Sequence, residues 1–138
     1  VADEQGVTLE EFQANMDPEV FADSVAKLDK EQMEENNVEE EINWPAEDYE
    51  TITDRLTNSL DQIVTEETQE NGSGNVLITS HGLSITALLD TLFDDFEAPE
   101  DGLDNASVNV IKYKNGDYSL ESVNDMSYAE QGEKEQSD

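Results

Sequence analysis

The chain has no cysteine, a single histidine and a single arginine, and no long apolar run. Without cysteine there is no disulfide bond, no thiolate metal ligand and no cysteine nucleophile. No stretch approaches the roughly 18 apolar residues that a membrane span requires. No secretory signal sequence is visible, and a chain that begins at Val1 rather than at methionine is compatible with removal of a targeting segment.

Acidic residues dominate the composition that remains. The 138 residues include 36 Asp and Glu against 6 Lys and Arg, so the formal net charge is −30. Leu, Ile, Val and Phe together number 31, which is close to the share of about 20% below which a highly charged chain is disordered. The length suits one domain, whose order must come from concentrated apolar segments. A charge of this sign argues against nucleic acid or an anionic membrane as a partner.

The first part of the chain predicts acidic helices. Thr8 opens a capping box, and Asp17-Pro18 is typical of a helix start with proline at the first position. Residues 31–41 carry few apolar side chains and predict a solvated helix or a loose excursion. After Asn43-Trp44-Pro45, apolar residues at helical spacing predict a long helix over residues 47–67.

The last part of the chain predicts a β-hairpin. Residues 107–113 alternate in polarity as a strand does, and Asn115-Gly116 is the strongest short signal for a tight hairpin turn. A second strand over residues 118–123 returns antiparallel. The tail after Tyr128 is polar, and we expect it to fray.

The run from Val76 to Ile85 carries the only histidine. Residues Asn75 to Ser80 predict a buried strand, His81-Gly82 a tight turn, and Ser84 the N-cap of an amphipathic helix. An imidazole at the carboxyl end of a strand stands where α/β sheets bind ligands. A helix that starts beside it favours an anion.

These residues leave several kinds of chemistry without support. No Gly-x-Ser-x-Gly elbow and no P-loop lysine is present. A zinc site with one histidine would need three carboxylates, and no spacing supports it. The acidic stretch over residues 94–105 does not match a calcium-binding EF-hand loop. The one arginine, Arg55, lies in mid-helix beside Asp54, where a surface role is expected. We therefore predict neither a metal nor a cofactor.

Four stretches, taken in their order along the chain, resemble segments of one family, the histidine phosphatase superfamily, also called phosphoglycerate mutase-like. The second stretch, Val76 to Leu89, has the pattern of an apolar strand followed by Ser-His-Gly and a helix. The ordered set over residues 44–128 is what makes the resemblance specific. The stretches are Trp44-Pro45-Ala46-Glu47-Asp48-Tyr49, Val76 to Leu89 with Ser80-His81-Gly82, Leu103-Asp104-Asn105-Ala106-Ser107-Val108, and Val123-Asn124-Asp125-Met126-Ser127-Tyr128.

The resemblance implies an α/β fold, a partial three-layer α/β/α sandwich of the phosphoglycerate mutase-like type. Residues 1–43 would form an acidic helical insertion, residues 44–128 the C-terminal part of the α/β domain, and residues 129–138 a polar tail. The family's Arg-His-Gly motif, whose histidine is the nucleophile, has no counterpart in this chain. We therefore expect the chain to be the C-terminal portion of such an enzyme, with the N-terminal half preceding Val1.

Three site residues follow from the resemblance. His81 corresponds to the family's second histidine, which bonds the phosphoryl group and stabilises charge in its transfer. The backbone N–H of Leu83 corresponds to a phosphate contact, and Gly82 to the residue that permits the tight turn. Ala46 and Asp48 replace the family's Gly and Ser without touching the chemistry directly.

The resemblance implies a phosphatase that hydrolyses a phosphorylated small molecule through a phosphohistidine, without a cofactor; the short tail favours a phosphatase over a mutase. Several acidic, cysteine-free members are exported and lipid-anchored, which favours an extracytoplasmic location over a cytoplasmic one. Two alternatives stay open: a non-catalytic interaction domain that binds a partner or cations through its acidic surface, and a salt-adapted structural domain without a ligand.

Three structural and functional expectations follow. Strand 75–80 should be central and buried between the helices that begin near Glu47 and Ser84, and the hairpin should extend the same sheet. Because of the open edge of that sheet, the isolated chain should pair with a second copy, swap elements with it, or stay partly loose. The chain alone should not hydrolyse phosphate monoesters.

Overall fold

The computed structural model describes Thr8, residues 17–39 and residues 45–136. The described parts form two compact units, Val1–Ser59 and Leu60–Asp138. Within these described residues, four helices and one two-stranded antiparallel sheet make a mixed α/β structure, while the layered sandwich and the domain boundary at residue 43 stay predictions. In chain order the elements are α1 (Pro18–Glu35), α2 (Tyr49–Asn71), α3 (Gly82–Leu92), β1 (Val108–Lys114), β2 (Asp117–Asp125) and α4 (Ser127–Gln136).

Helix α1 begins as its sequence predicts. Asp17 is the N-cap: its Oδ1 accepts the backbone N–H groups of Glu19 at 2.9 Å and Val20 at 3.1 Å. Pro18 occupies the first turn, where its missing N–H costs nothing. The predicted helix start is confirmed, and its buried face consists of Ala22, Ala26 and Met33. The predicted capping box at Thr8 falls mostly on residues outside the described part of the chain.

Helix α1 ends in a left-handed turn. Asn37 has a φ of 53°, a conformation that Asn tolerates better than most residues. The N–H of Val38 donates to the carbonyl of Met33 at 2.9 Å and that of Asn37 donates to Glu34 at 3.2 Å, which is the Schellman pattern. Residues 31–35 are therefore regular helix.

Helix α2 is tied to α1 at its start. The segment before it places the N–H of Ala46 on Asp29 Oδ2 at 2.7 Å and the N–H of Tyr49 on Asp23 Oδ1 at 2.9 Å. Asp48 Oδ1 accepts the N–H of Thr51 at 2.9 Å, which caps the first turn. The predicted long helix is thus confirmed, although it runs from Tyr49 to Asn71 rather than over residues 47–67.

The predicted central strand over residues 75–80 is the main correction. These residues form no strand, and every one of them is exposed. Val76 is 50% exposed, Leu77 88% and Ile78 51%. The apolar pattern is that of a buried strand, but a strand also needs neighbours for its N–H and C=O groups. The only sheet in the described residues is the β1–β2 pair, so the prediction of a buried central strand was wrong.

Helix α3 begins earlier than its sequence suggests. We predicted Ser84 as the N-cap, but the helix starts at Gly82 and His81 occupies the N-cap position. Its inner side contains Thr86, Ala87 and Leu89, and Leu89 is completely buried. This helix supplies the most deeply buried side chain in the described residues.

The hairpin is confirmed. Asn115 and Gly116 join β1 to β2 with φ values of 55° and 92°, as a type I′ turn requires. Tyr118 on β2 donates its hydroxyl to Asp61 Oδ1 on α2 at 2.7 Å. No other described residues form a strand beside the hairpin, so the prediction that it extends a larger sheet was wrong.

The tail corrects another expectation. Residues 127–136 form helix α4 instead of a frayed end. Asp125 Oδ1 accepts the N–H of Ser127 at 2.9 Å, and this interaction with Ser127 lowers the pKa of Asp125 below its ordinary value. A local side-chain cap therefore starts a helix that the polar composition did not suggest. No helix in the described residues is long and apolar enough to cross a bilayer.

Candidate functional site

The single histidine lies where the exposed segment meets helix α3. His81 has extended backbone (φ −106°, ψ 150°), and its carbonyl accepts the N–H of Ile85 at 2.9 Å. Its side chain makes no capping hydrogen bond, and the residue is exposed. The imidazole is therefore accessible to a ligand at the start of the helix.

Helix α3 presents backbone donors beside this imidazole. The first-turn N–H groups, which include those of Gly82 and Leu83, have no acceptor within the helix. No side chain caps them, and the first turn carries no acidic residue. The helix dipole adds a positive partial charge of about half a unit at this end. The predicted site residues thus form one contiguous arrangement that favours a small anion.

The backbone conformation at position 82 does not require a glycine. The φ of Gly82 lies outside the left-handed region that Gly72, Gly102 and Gly116 occupy. A Cβ built on Gly82 would meet only the backbone oxygen of Leu103, at an ordinary contact distance of 4.0 Å. The tight turn that we predicted therefore does not need a glycine in this structure. What the missing side chain leaves free is the approach of a ligand to the backbone.

A pair of side chains braces the loop that faces Gly82. The N–H of Asp104 donates to Asn124 Oδ1 at 2.8 Å, and Asn124 Nδ2 donates back to Asp104 Oδ2 at 2.8 Å. Asp104 follows Leu103, whose carbonyl faces Gly82. The brace therefore connects strand β2 to the loop that contacts the start of helix α3.

Asn124 can make this brace because the ladder is irregular. Val108 pairs with Asp125 while Val110 pairs with Ser122, so strand β2 has an extra residue between the two pairs. Asn124 takes a φ of 53° there, and its N–H donates to Asn109 Oδ1 at 2.8 Å. Such a bulge re-aims the side chain away from the ladder. The resemblance singled out the segments of Asp104 and Asn124 separately; it did not predict that they meet.

The only arginine is already engaged in an ion pair. Arg55 donates Nε to Glu47 Oε1 at 2.9 Å and Nη2 to Glu47 Oε2 at 2.7 Å. The hydrogen bond from Arg55 lowers the pKa of Glu47, and the same bond raises the pKa of Arg55. Both residues belong to the first unit, whereas His81 belongs to the second. Arg55 thus has the surface role that its position predicts.

Other cations and acids do not build a charged site in the described residues. Lys27 pairs with Glu31 at 3.9 Å, and Lys112 pairs with Glu121 across the hairpin. Within the described residues, no cluster of three or more His, Cys, Asp or Glu side chains could hold a metal ion. Of the segment that begins at Trp44, only Pro45 onward is described, and it serves to anchor helix α2.

The chain was compared with known proteins. The model of the histidine phosphatase superfamily (branch 1) matches residues 8–126. No curated protein and no solved structure shows significant similarity to the chain. The matched region includes His81, the start of helix α3, the braced loop and all of strand β2.

Proposed function

Because that match covers most of its length, the chain belongs to the histidine phosphatase superfamily, and we propose that it is part of a phosphatase acting on phosphate monoesters. The observation that carries the proposal is the position of His81. It is the only histidine, it is exposed, and it stands at the start of helix α3 within the matched region. The substrate class is a phosphorylated small molecule.

In this proposal the residues of the chain hold the phosphoryl group. The imidazole of His81 donates a hydrogen bond to one phosphoryl oxygen and stabilises the charge that develops during transfer. The backbone N–H of Leu83, helped by the open approach at Gly82, donates to another oxygen. The brace between Asp104 and Asn124 keeps the neighbouring loop in place.

The nucleophile must come from outside these residues, because the chain contains one histidine. A second histidine of the parent polypeptide would attack phosphorus, and the bond from phosphorus to the leaving oxygen would break. The leaving oxygen would take a proton from a general acid. Water would then attack the phosphohistidine, which restores the nucleophile and releases inorganic phosphate. On this scheme the isolated chain is inactive.

The chain also lacks the cations that in-line phosphoryl transfer needs. Arg55 is paired with Glu47, and a net charge of −30 repels phosphate at long range. One helix start and one imidazole make a weak anion site against that field. The clamp that neutralises the phosphate must therefore accompany the nucleophile.

The test compares the chain with its parent protein in hydrolysis of p-nitrophenyl phosphate. We expect no turnover by the 138-residue chain. In the parent protein, His81→Ala should lower kcat about 10²-fold or more, the scale for losing one transition-state donor. Stability should change little, because the side chain is exposed.

Two controls make the result specific. Glu130→Gln changes an exposed residue on helix α4 and should leave turnover unchanged. His81→Gln retains a hydrogen-bond donor and should recover part of the loss. Turnover by the bare chain, or a parent in which His81→Ala keeps full activity, would reject the mechanism. The non-catalytic interaction domain would then be the better account.

A further inference from the structure

The chain contains two Asn-Gly pairs, and the structure holds their backbone nitrogens differently. Asn71-Gly72 lies at the end of helix α2, and Asn115-Gly116 forms the turn of the hairpin. All four residues are exposed. Asparagine is chemically labile, because the backbone nitrogen of the next residue can attack its side-chain carbonyl carbon. Glycine at that next position has no side chain to obstruct the approach.

The hydrogen bond of each glycine N–H decides how easily this attack begins. The nitrogen reacts after it has lost its proton. The N–H of Gly72 donates to the carbonyl of Thr68 at 3.0 Å, whereas the N–H of Gly116 donates to no described residue. Loss of the proton therefore breaks a hydrogen bond at Gly72 and breaks none within the described residues at Gly116.

Neighbouring charges favour the same pair. Lys114 precedes the hairpin turn and Asp117 follows it, so the turn has one charge of each sign beside it. Glu67 and Glu70 lie shortly before Asn71, and the last turn of helix α2 has no basic residue. The carboxyl end of a helix also carries a negative partial charge of about half a unit. These negative charges oppose a nitrogen anion at Gly72 more than the turn opposes one at Gly116.

We propose that Asn115 is a site of spontaneous deamidation, with water as the only co-reactant. The deprotonated nitrogen of Gly116 attacks the side-chain carbonyl carbon of Asn115. A bond forms between these two atoms, the bond from that carbon to the side-chain nitrogen breaks, and ammonia leaves with the proton that Gly116 gave up. Water then opens the resulting cyclic imide at one of its two carbonyl carbons.

The two ways of opening the imide have different effects on the hairpin. Cleavage at the side-chain carbon gives aspartate, which tolerates the φ of 55° that Asn115 has. Cleavage at the backbone carbonyl carbon gives isoaspartate, whose main chain contains an additional methylene. The tight turn sets the register in which Lys114 pairs with Asp117. Isoaspartate at position 115 therefore disturbs that register, and aspartate does not.

The residues next to the turn connect the hairpin to helix α2. Tyr113 pairs with Tyr118, and the centroids of their rings are 5.1 Å apart. Tyr118 also donates its hydroxyl to Asp61 on helix α2 at 2.7 Å. Isoaspartate at position 115 therefore loosens the hairpin where it is attached. The inference goes beyond the proposed phosphatase function and does not depend on it, since it requires no catalysis and uses only groups of the hairpin and helix α2.

The test incubates the 138-residue chain at mildly alkaline pH and follows both Asn-Gly pairs by peptide mapping and mass spectrometry. Asn115 should convert to the acid roughly 2- to 10-fold faster than Asn71, the range that the net strength of one hydrogen bond implies. In concentrated urea the hydrogen bond of Gly72 is lost, so the two rates should approach each other. Both rates should rise with pH, because the reacting nitrogen is deprotonated.

Three variants identify the reacting groups. Asn115→Gln should strongly reduce conversion at this pair, because the longer side chain closes the ring far more slowly. Asn71→Gln is its matched control and should leave the conversion of Asn115 unchanged. Lys114→Gln should slow the conversion of Asn115 about twofold, since it removes the cation beside the reacting nitrogen. Raised salt should reduce that difference.

The products are compared after separation of the aged chain. The isoaspartate form should unfold at lower urea concentration than the unmodified chain, and its NMR signals should shift at Lys114 and Asp117. Asn115→Asp supplies the aspartate product directly and should unfold at nearly the same urea concentration as the unmodified chain. Conversion of Asn71 that is as fast as that of Asn115 in the folded chain would overturn the proposed site. An isoaspartate form as stable as the unmodified chain would overturn its effect on the hairpin.

Discussion

Replacing Asn124 tests whether its side chain holds the loop beside helix α3. Its two hydrogen bonds to Asp104 are both 2.8 Å long. Each is worth about 0.5–1.5 kcal/mol net, so Asn124→Gly should lower the free energy of unfolding by about 1–3 kcal/mol. Asn124→Ala should cost about 1 kcal/mol more, because a φ of 53° penalises a Cβ and glycine escapes that penalty.

A second set of variants tests whether the hydrogen bonds between Asp104 and Asn124, and not packing alone, supply this stability. Asn124→Asp sets two carboxylates against each other at neutral pH and removes the Nδ2 donor, so it should destabilise the chain. Lowering the pH towards about 4 should recover part of the loss, because one carboxyl of a close pair becomes protonated first. Adding Asp104→Asn restores one donor and one carboxylate, so the double variant should approach the stability of the unchanged chain.

The assay is urea unfolding followed by circular dichroism, with amide hydrogen exchange at Asp104 as a second readout, because its N–H donates to Asn124 Oδ1. Asn124→Gly and Asn124→Ala should speed exchange at this amide, because both variants remove its acceptor. Equal stability of Asn124→Asp and the unchanged chain at pH 7 would refute the reasoning. So would a double variant that is no more stable than the worse single variant.

Two other predictions concern the hairpin. Partial burial, with the hydrogen bond to Asp61, raises the pKa of Tyr118 well above its usual value. The folded chain therefore keeps the hydroxyl proton of Tyr118 to higher pH than the unfolded chain does. The stability that this difference contributes is complete below about pH 10 and is lost as the pH rises further. Tyr118→Phe should therefore flatten the alkaline end of a stability-versus-pH curve measured by urea unfolding. Gly116→Ala should cost about 1–2 kcal/mol, because Gly116 has a φ of 92° and open space around it, so backbone strain alone opposes the change. Gly82→Ala is its matched control and should be nearly neutral when the stability of both variants is measured by urea unfolding; equal losses for the two would show that φ does not decide the cost.

Features that depend on neighbouring residues were predictable from the sequence. The N-cap at Asp17 and the turn at Asn115-Gly116 are set by a few side chains and by φ preferences, and both lie where expected. Residues 75–80 are different, because a strand exists only through partners that are distant in sequence. The apolar pattern of these residues indicates that they can form a strand, whereas the exposure of Leu77 shows that the described residues do not supply those partners.

In the candidate site, too, the part that depends on neighbouring residues was predictable and the part that depends on distant residues was not. His81, Gly82 and Leu83 are consecutive, so bringing them together at the start of helix α3 needed only the correct helix start; the N-cap was predicted at Ser84, three residues after His81. Prediction of the brace between Asp104 and Asn124 needed information that the local sequence does not contain. The brace depends on a register shift in the hairpin that brings together residues twenty positions apart. No local sequence pattern encodes that shift.

The absence of charge in residues 75–80 also has a consequence for the solubility of the chain. At neutral pH its copies, each with a formal charge of −30, repel one another, which opposes association through this uncovered stretch without charge or proline. Such stretches are the nuclei of cross-β fibrils. As the pH falls towards the carboxylate pKa of about 4, the repulsion disappears but the stretch stays uncovered. Acidic buffers should therefore favour aggregation of the chain.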